Sequence, residues 1–158
     1  MRTFVKIVFA FFLLIVNLYA QTPEQAKSLM NKRPTEVDSA IQRFIVDNKW
    51  ELIYQGEKTL IKTEVELIEP RQLLSFNGNS YSFVNIENPE SGENGEYFFF
   101  DMYLVLRLGK EESAYYNVLN LIDKSYLVVQ IGQTVGKRGE KLVSSNRKLL
   151  FKKVDSTE

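Results

Sequence analysis

The order of hydrophobic and polar positions divides the chain into three textures. Residues 1–20 are apolar at 16 of 20 positions, residues 21–48 repeat apolar side chains with a helical period, and residues 49–158 form short alternating runs separated by turn residues. In the first segment Arg2 and Lys6 precede an apolar run from Ile7 to Val16, and Leu18-Tyr19-Ala20 places a small residue just before Gln21. Basic, apolar, then small is the plan of a secretory signal peptide. The rival is an uncleaved anchor, but even Ile7 to Ala20, interrupted by Asn17, is shorter than the roughly 20 residues a spanning helix needs. The protein is therefore expected to be exported, to the periplasm or beyond, with no membrane span left after cleavage.

Two helices are expected in residues 21–48. Thr22-Pro23-Glu24-Gln25 offers a threonine cap, proline at the first helical position and glutamine at the third, and Ala26, Leu29 and Met30 then share one side. Thr35 offers a second cap just after Pro34, and Val37, Ala40, Ile41, Phe44 and Ile45 follow as one apolar stripe. Its polar face mixes Glu36, Asp38, Gln42, Arg43 and Asp47 without the basic bias of a membrane-surface helix. The stripe is thus expected to lie on the domain itself.

From residue 49 onward the pattern is all-β. Trp50 to Tyr54 makes the first run, and Leu60 to Glu69 the second, which Pro70 is expected to end. Leu73 to Phe76 and Tyr81 to Ile86 flank Asn77-Gly78-Asn79, where an Asn-Gly pair suits the positive φ angles of a tight hairpin. Residues 87–94 read as a polar loop. Glu96 to Met102 and Tyr103 to Leu108 make one long strand or two with a bend near Asp101. After a turn at 109–113 come Ala114 to Ile122 and Tyr126 to Ile131, then a glycine-rich loop at 132–141, then Leu142 to Val154. These glycines do not lead from a strand into a helix, so they do not form a phosphate cradle. Eight or nine antiparallel strands with short connections are expected, closed as an up-and-down barrel or stacked as a sandwich. Consecutive hairpins favour the barrel, because a Greek-key sandwich needs a long connection between distant strands.

Composition narrows the chemistry. The chain has no histidine and no cysteine. It therefore lacks a zinc site of Cys or His ligands, a thiol nucleophile, a Ser-His pair, and any side chain whose ordinary pKa lies near neutrality. Without the first 20 residues the charge balance is 18 basic against 20 acidic, which does not suggest nucleic acid. Removing that segment leaves ~138 residues, long enough to bury roughly two thirds of the unfolded surface without metal or disulfide. No cofactor is expected.

Several residues carry a family resemblance. Asn48-Lys49-Trp50 after a short helix, LLSFNGNSYSF at 73–83, Gly95-Glu96-Tyr97, YNVLNLIDKSYLVV at 116–129 and the basic strand Arg147 to Val154 are together similar to the small lipocalin-like proteins of the bacterial cell envelope. The resemblance spans roughly residues 44–154. It implies a barrel whose closed end carries Trp50, with Arg147 from the last strand stacked on it, and Lys152 or Lys153 as alternatives. Asn48 stands where that family has glycine, and asparagine tolerates the left-handed conformation such a turn uses.

A barrel of eight strands has an interior wide enough for packed side chains or one small ligand. Alternation puts Phe76, Tyr81 and Phe83 on one strand face and Tyr97 and Phe99 on another, with Tyr54, Tyr103 and Tyr116 as further candidates to line a pocket. Aromatics with hydroxyls offer an apolar wall and a polar handle, and they equally well fill a core. The run Tyr97-Phe98-Phe99-Phe100 must place two rings outward, Phe98 and Phe100, which the helix stripe is expected to cover; the alternative is a patch exposed for another protein. Glu64 and Glu66, roughly 7 Å apart on one strand face, read as solvated rather than catalytic. The organisation expected is a signal peptide at 1–20, a helical segment at 21–48 and a lipocalin-like barrel at 49–158. It would bind a small hydrophobic or amphipathic molecule without catalysis; the alternative is a filled barrel that meets a protein partner through its loops at 87–94 and 132–141.

Overall fold

The computed structural model describes residues 22–58, 62–108, 112–135 and 141–155. The expected signal peptide lies outside the described residues, as do residues 60–61 of the second expected strand and residues 109–111 and 136–140 of two expected turns.

The first helix, α1 (Pro23–Met30), starts as its sequence dictates. The Thr22 hydroxyl accepts from the Gln25 N–H at 3.3 Å and the Gln25 side chain accepts from the Thr22 N–H at 3.0 Å, a reciprocal capping box. Helix α2 (Ser39–Val46) begins later than expected. Asp38, not Thr35, is the cap, its carboxylate accepting from the Ile41 N–H at 2.8 Å. The chain from Lys32 to Thr35 is instead pinned to the barrel: the Asn120 side chain donates to the Arg33 carbonyl at 2.9 Å, and the Thr35 N–H donates to the Leu119 carbonyl at 2.9 Å. Tertiary hydrogen bonds outcompete the local cap there. Replacing Asp38 with alanine is expected to cost about 1 kcal/mol, read as a lower urea midpoint with an unchanged slope; an unshifted midpoint would show that α2 does not depend on its cap.

Eight strands follow: β1 (Trp50–Lys58), β2 (Thr63–Asn77), β3 (Ser80–Asn85), β4 (Glu93–Phe100), β5 (Tyr103–Leu108), β6 (Glu112–Ile122), β7 (Tyr126–Val135) and β8 (Lys141–Lys153). Each pairs antiparallel with its neighbours in sequence, and β1 also pairs with β8, which closes an up-and-down barrel. The fold class expected from the strand pattern is therefore the one observed. The β2–β3 hairpin turns at Gly78, whose φ of 58° sits at the first central position, where a II′ turn takes glycine. Asp101 at φ 54° separates β4 from β5, so that region is two strands.

Pro70 does not end β2. The strand runs through it, and the β1–β2 register jumps from Leu52↔Gln72 to Tyr54↔Leu67, so Pro70 occupies a bulge where no ladder hydrogen bond is needed. Across β1–β8 the same point skips Ile53, with Leu52 opposite Phe151 and Tyr54 opposite Leu150. One extra residue in a strand reverses the faces of everything after it.

The main core lies inside the barrel: Trp50, Leu52, Leu74, Leu104, Leu106, Val118, Leu127, Val129, Leu149 and Phe151 are buried together, and Ile45 of α2 joins them from one end. A second cluster lies outside the wall, where Ala26 and Met30 of α1 cover Tyr54, Val128 and Leu150. Gly56 leaves room for this helix, since a Cβ there would lie 2.6 Å from the Met30 sulfur. The Lys148 ammonium donates to the Met30 carbonyl at 2.6 Å and so holds the last turn of α1; burial, and then Lys58, lower its pKa.

Candidate functional site

Helix α2 plugs the end of the barrel that carries the 77–80, 100–103 and 122–126 turns. Ile41, Phe44 and Ile45 of its stripe, with Val37 just before the helix, pack into the core, although Ala40 stays exposed. Trp50 is fully buried, donates from Nε1 to the Ile45 carbonyl at 2.7 Å and meets the Phe44 ring edge-on at 6.3 Å. The expected partner Arg147 is not there. It sits opposite Glu57, near the other end of β1, while Lys153 is the residue paired with Trp50. The barrel base is thus closed by Trp50 and helix α2 rather than by a stacked arginine.

The interior above the plug is aromatic. Phe76, Phe83, Tyr97, Phe99 and Tyr116 pack against the core cluster that contains Tyr81, so six of the eight expected lining residues share the inside. Phe76 and Tyr97 meet edge-on at 4.8 Å, and Phe83 lies 6.3 Å from Phe151. The Tyr97 hydroxyl donates to the Gly78 carbonyl at 2.9 Å, which commits it to the turn. The other two candidates face outward. Tyr54 is turned out by the bulge after Leu52 and lies beneath α1, and Tyr103, one position before inward-facing Leu104, sits on the outer wall opposite Asn117.

Two interior hydroxyls stand apart from this packing. Tyr81 is 2% exposed, and its hydroxyl is buried without a hydrogen-bond partner among the described residues. Burial, and then the Glu93 carboxylate, raise its pKa. The Tyr116 phenol is pushed up to about 12 by burial, with Glu93 and Tyr81 adding to it. Both tyrosines therefore stay protonated as donors throughout the physiological range. Glu93 was not among the candidates from sequence; it begins β4 opposite Phe83 toward the end of the barrel away from α2, and only the β3–β4 register puts it on this face.

The carboxylates Glu64 and Glu66 stand near the end of the barrel away from α2. Glu64 pairs with Lys62 at 2.7 Å, both exposed, and this bond holds its carboxyl below the usual range; Glu66 accepts from the Gln55 amide at 2.8 Å. Among the described residues no group of three or more Asp, Glu, His or Cys is placed to hold a metal ion.

An open groove of about 800 Å³ lies elsewhere, over β2 to β5. Seven of its ten lining residues point away from the core, and the other three, Phe76, Tyr81 and Gly95, belong to the inward-facing positions. One row runs across four strands as Asn77, Ser80, Glu96 and Arg107, and a second, two residues along, as Ser75, Ser82 and Asn94. Phe98 and Phe100 continue the outward face of β4, 41% and 66% exposed. The expectation that the α2 stripe covers them is overturned: that stripe enters the end of the barrel and never reaches the wall. The Arg107 guanidinium lies 5.4 Å from the Phe98 ring centroid and 3.7 Å from the Glu96 carboxylate. The sequence does carry a trace of this groove in LSFNGNSYSF, where small polar residues alternate with rings.

Fold and site together define an eight-stranded up-and-down barrel with a helical plug, an aromatic interior and a polar groove on its outer wall. No family model, curated protein or solved structure matches the chain.

Proposed function

We propose that the protein is a non-catalytic, exported binding module, lipocalin-like in kind, whose barrel interior holds a small apolar or amphipathic molecule. The observation that carries this reading is the unpartnered Tyr81 hydroxyl inside an aromatic lining. A buried hydroxyl without a partner costs roughly 1–3 kcal/mol, and a ligand acceptor at that point would remove the cost. Apolar burial would drive binding at about 25 cal/mol per Å², and Tyr81 with Tyr116 would orient the molecule. The plug at one end leaves the strand ends near Lys58, Glu93 and Val135 as the way in. The basic-then-apolar segment at 1–20 supports export, to the periplasm or outside.

Nile red, an apolar dye with a carbonyl acceptor, tests the reading. Saturable binding is expected, weakened about fivefold to tenfold in Tyr81→Phe with no fall in melting temperature, since that change deletes an unsatisfied group. Absence of saturable binding would end the carrier reading. It would favour the second one, a filled barrel that meets a protein partner through its outer wall, for which the exposed Phe98 and Phe100 speak.

A further inference from the structure

The groove opens on the outer wall and has its own polar chemistry, although Phe76 and Tyr81, whose rings belong to the interior, also border it. Its volume of about 800 Å³ is within the roughly 300–1,000 Å³ of small-molecule sites. Ser75 and Ser82 face each other across β2–β3, with Ser80 and Asn77 below them and Asn94 beyond. None of these five side chains has a hydrogen-bond partner among the described residues. Hydroxyls and amides both donate and accept, so such a wall matches a ligand whose own groups do both.

Charge narrows the class further. Glu96 and Arg107 lie 3.7 Å apart across β4–β5 and offset each other, so the groove favours neither an anion nor a cation. Phe98 is not among the residues that line the groove but adjoins it beside this pair, with 41% of its surface open and the Arg107 guanidinium over its ring. A pyranose ring has the complementary form: hydroxyls around its rim and a face of C–H groups that can lie on an aromatic ring. A peptide strand is a poorer fit, because the closed barrel leaves no strand edge to extend. We propose that the groove over β2 to β5 binds a neutral, hydroxyl-rich oligosaccharide, with Phe98 as the platform and Asn94, Ser82 and the Glu96–Arg107 pair as the hydrogen-bonding wall. Because the groove lies on paired strands, it is formed before any ligand arrives.

Calorimetric titration of the purified protein with chitotetraose, cellotetraose and maltotetraose tests the assignment, with anionic tetragalacturonate as comparison. Saturable binding of at least one neutral sugar is expected, weakened about tenfold or more by Asn94→Ala and by Phe98→Ala, and undisturbed by saturating Nile red. Exposed Asn94 can be replaced without unfolding the barrel, so its variant remains informative if Phe98→Ala does not fold. Failure of all three neutral sugars to bind, preference for tetragalacturonate, insensitivity to Asn94→Ala, or displacement by Nile red would each overturn it. The last result would move the sugar to the interior and leave the carrier reading standing.

Discussion

Trp50→Ala is expected to remove about 3–5 kcal/mol of stability, the larger of the two strongest effects foreseen in this fold. The side chain is fully buried, and three separate structures meet on it: α2 through the Ile45 carbonyl and the Phe44 ring, β2 through Leu74, and β8 through Lys153. Truncation removes the indole, leaves a cavity at the closed end and takes from the Ile45 carbonyl the shorter of its two hydrogen bonds, leaving the Asn48 N–H at 3.4 Å. Trp50 is the single tryptophan, so the unfolding transition should be followed by far-ultraviolet circular dichroism rather than fluorescence. A loss under about 1 kcal/mol would mean that α2 is held by its apolar stripe alone and that the indole does not anchor it.

Gly95→Ala is expected to cost about 3 kcal/mol, the upper part of the usual range for overpacking. A Cβ on Gly95 would fall on the Arg107 carbonyl oxygen, with a Tyr81 ring carbon 3.0 Å away. The nearer obstacle is backbone, so no rotamer change relieves it, and β4 must draw away from β5 beside the Glu96↔Arg107 pair. Amide exchange should quicken along residues 96–100 before the rest of the barrel. Gly78→Ala is the informative comparison. Open space surrounds that position and only its positive φ opposes a side chain, so a cost of about 1 kcal/mol is expected. Equal losses at the two glycines would refute the steric account of Gly95.

The barrel was legible because hairpin order leaves few other ways to hide this many alternating strands. The capping box of α1, the Gly78 turn and the six interior aromatics each follow from residues close together in sequence. What escaped the sequence depends on register. Trp50, Leu52 and Tyr54 alternate without a break, yet Ile53 bulges and Tyr54 crosses to the outer wall. Arg147 and Lys153 are equally basic and lie on one strand; only the count from Trp50↔Lys153 separates base from rim. Pro70 was read as a stop because a bulge that admits proline has no mark in its own sequence. The groove was hidden for the same reason, since Ser82, Asn94 and Arg107 become neighbours only when β3, β4 and β5 are laid side by side.

Closure of β1 onto β8 has a consequence for how the molecule comes into being. The earlier segments, α1 and α2, rest on strands made later: Met30 waits for Lys148, Arg33 for Asn120, and Trp50 for Lys153. A growing chain therefore carries its oily plug uncovered until β8 has been synthesised, and the decisive seam joins residues as far apart in sequence as Trp50 and Lys153. Barrels sealed by such distant partners assemble slowly, so anything that attends this protein early in its life would find those two helices before it finds a barrel.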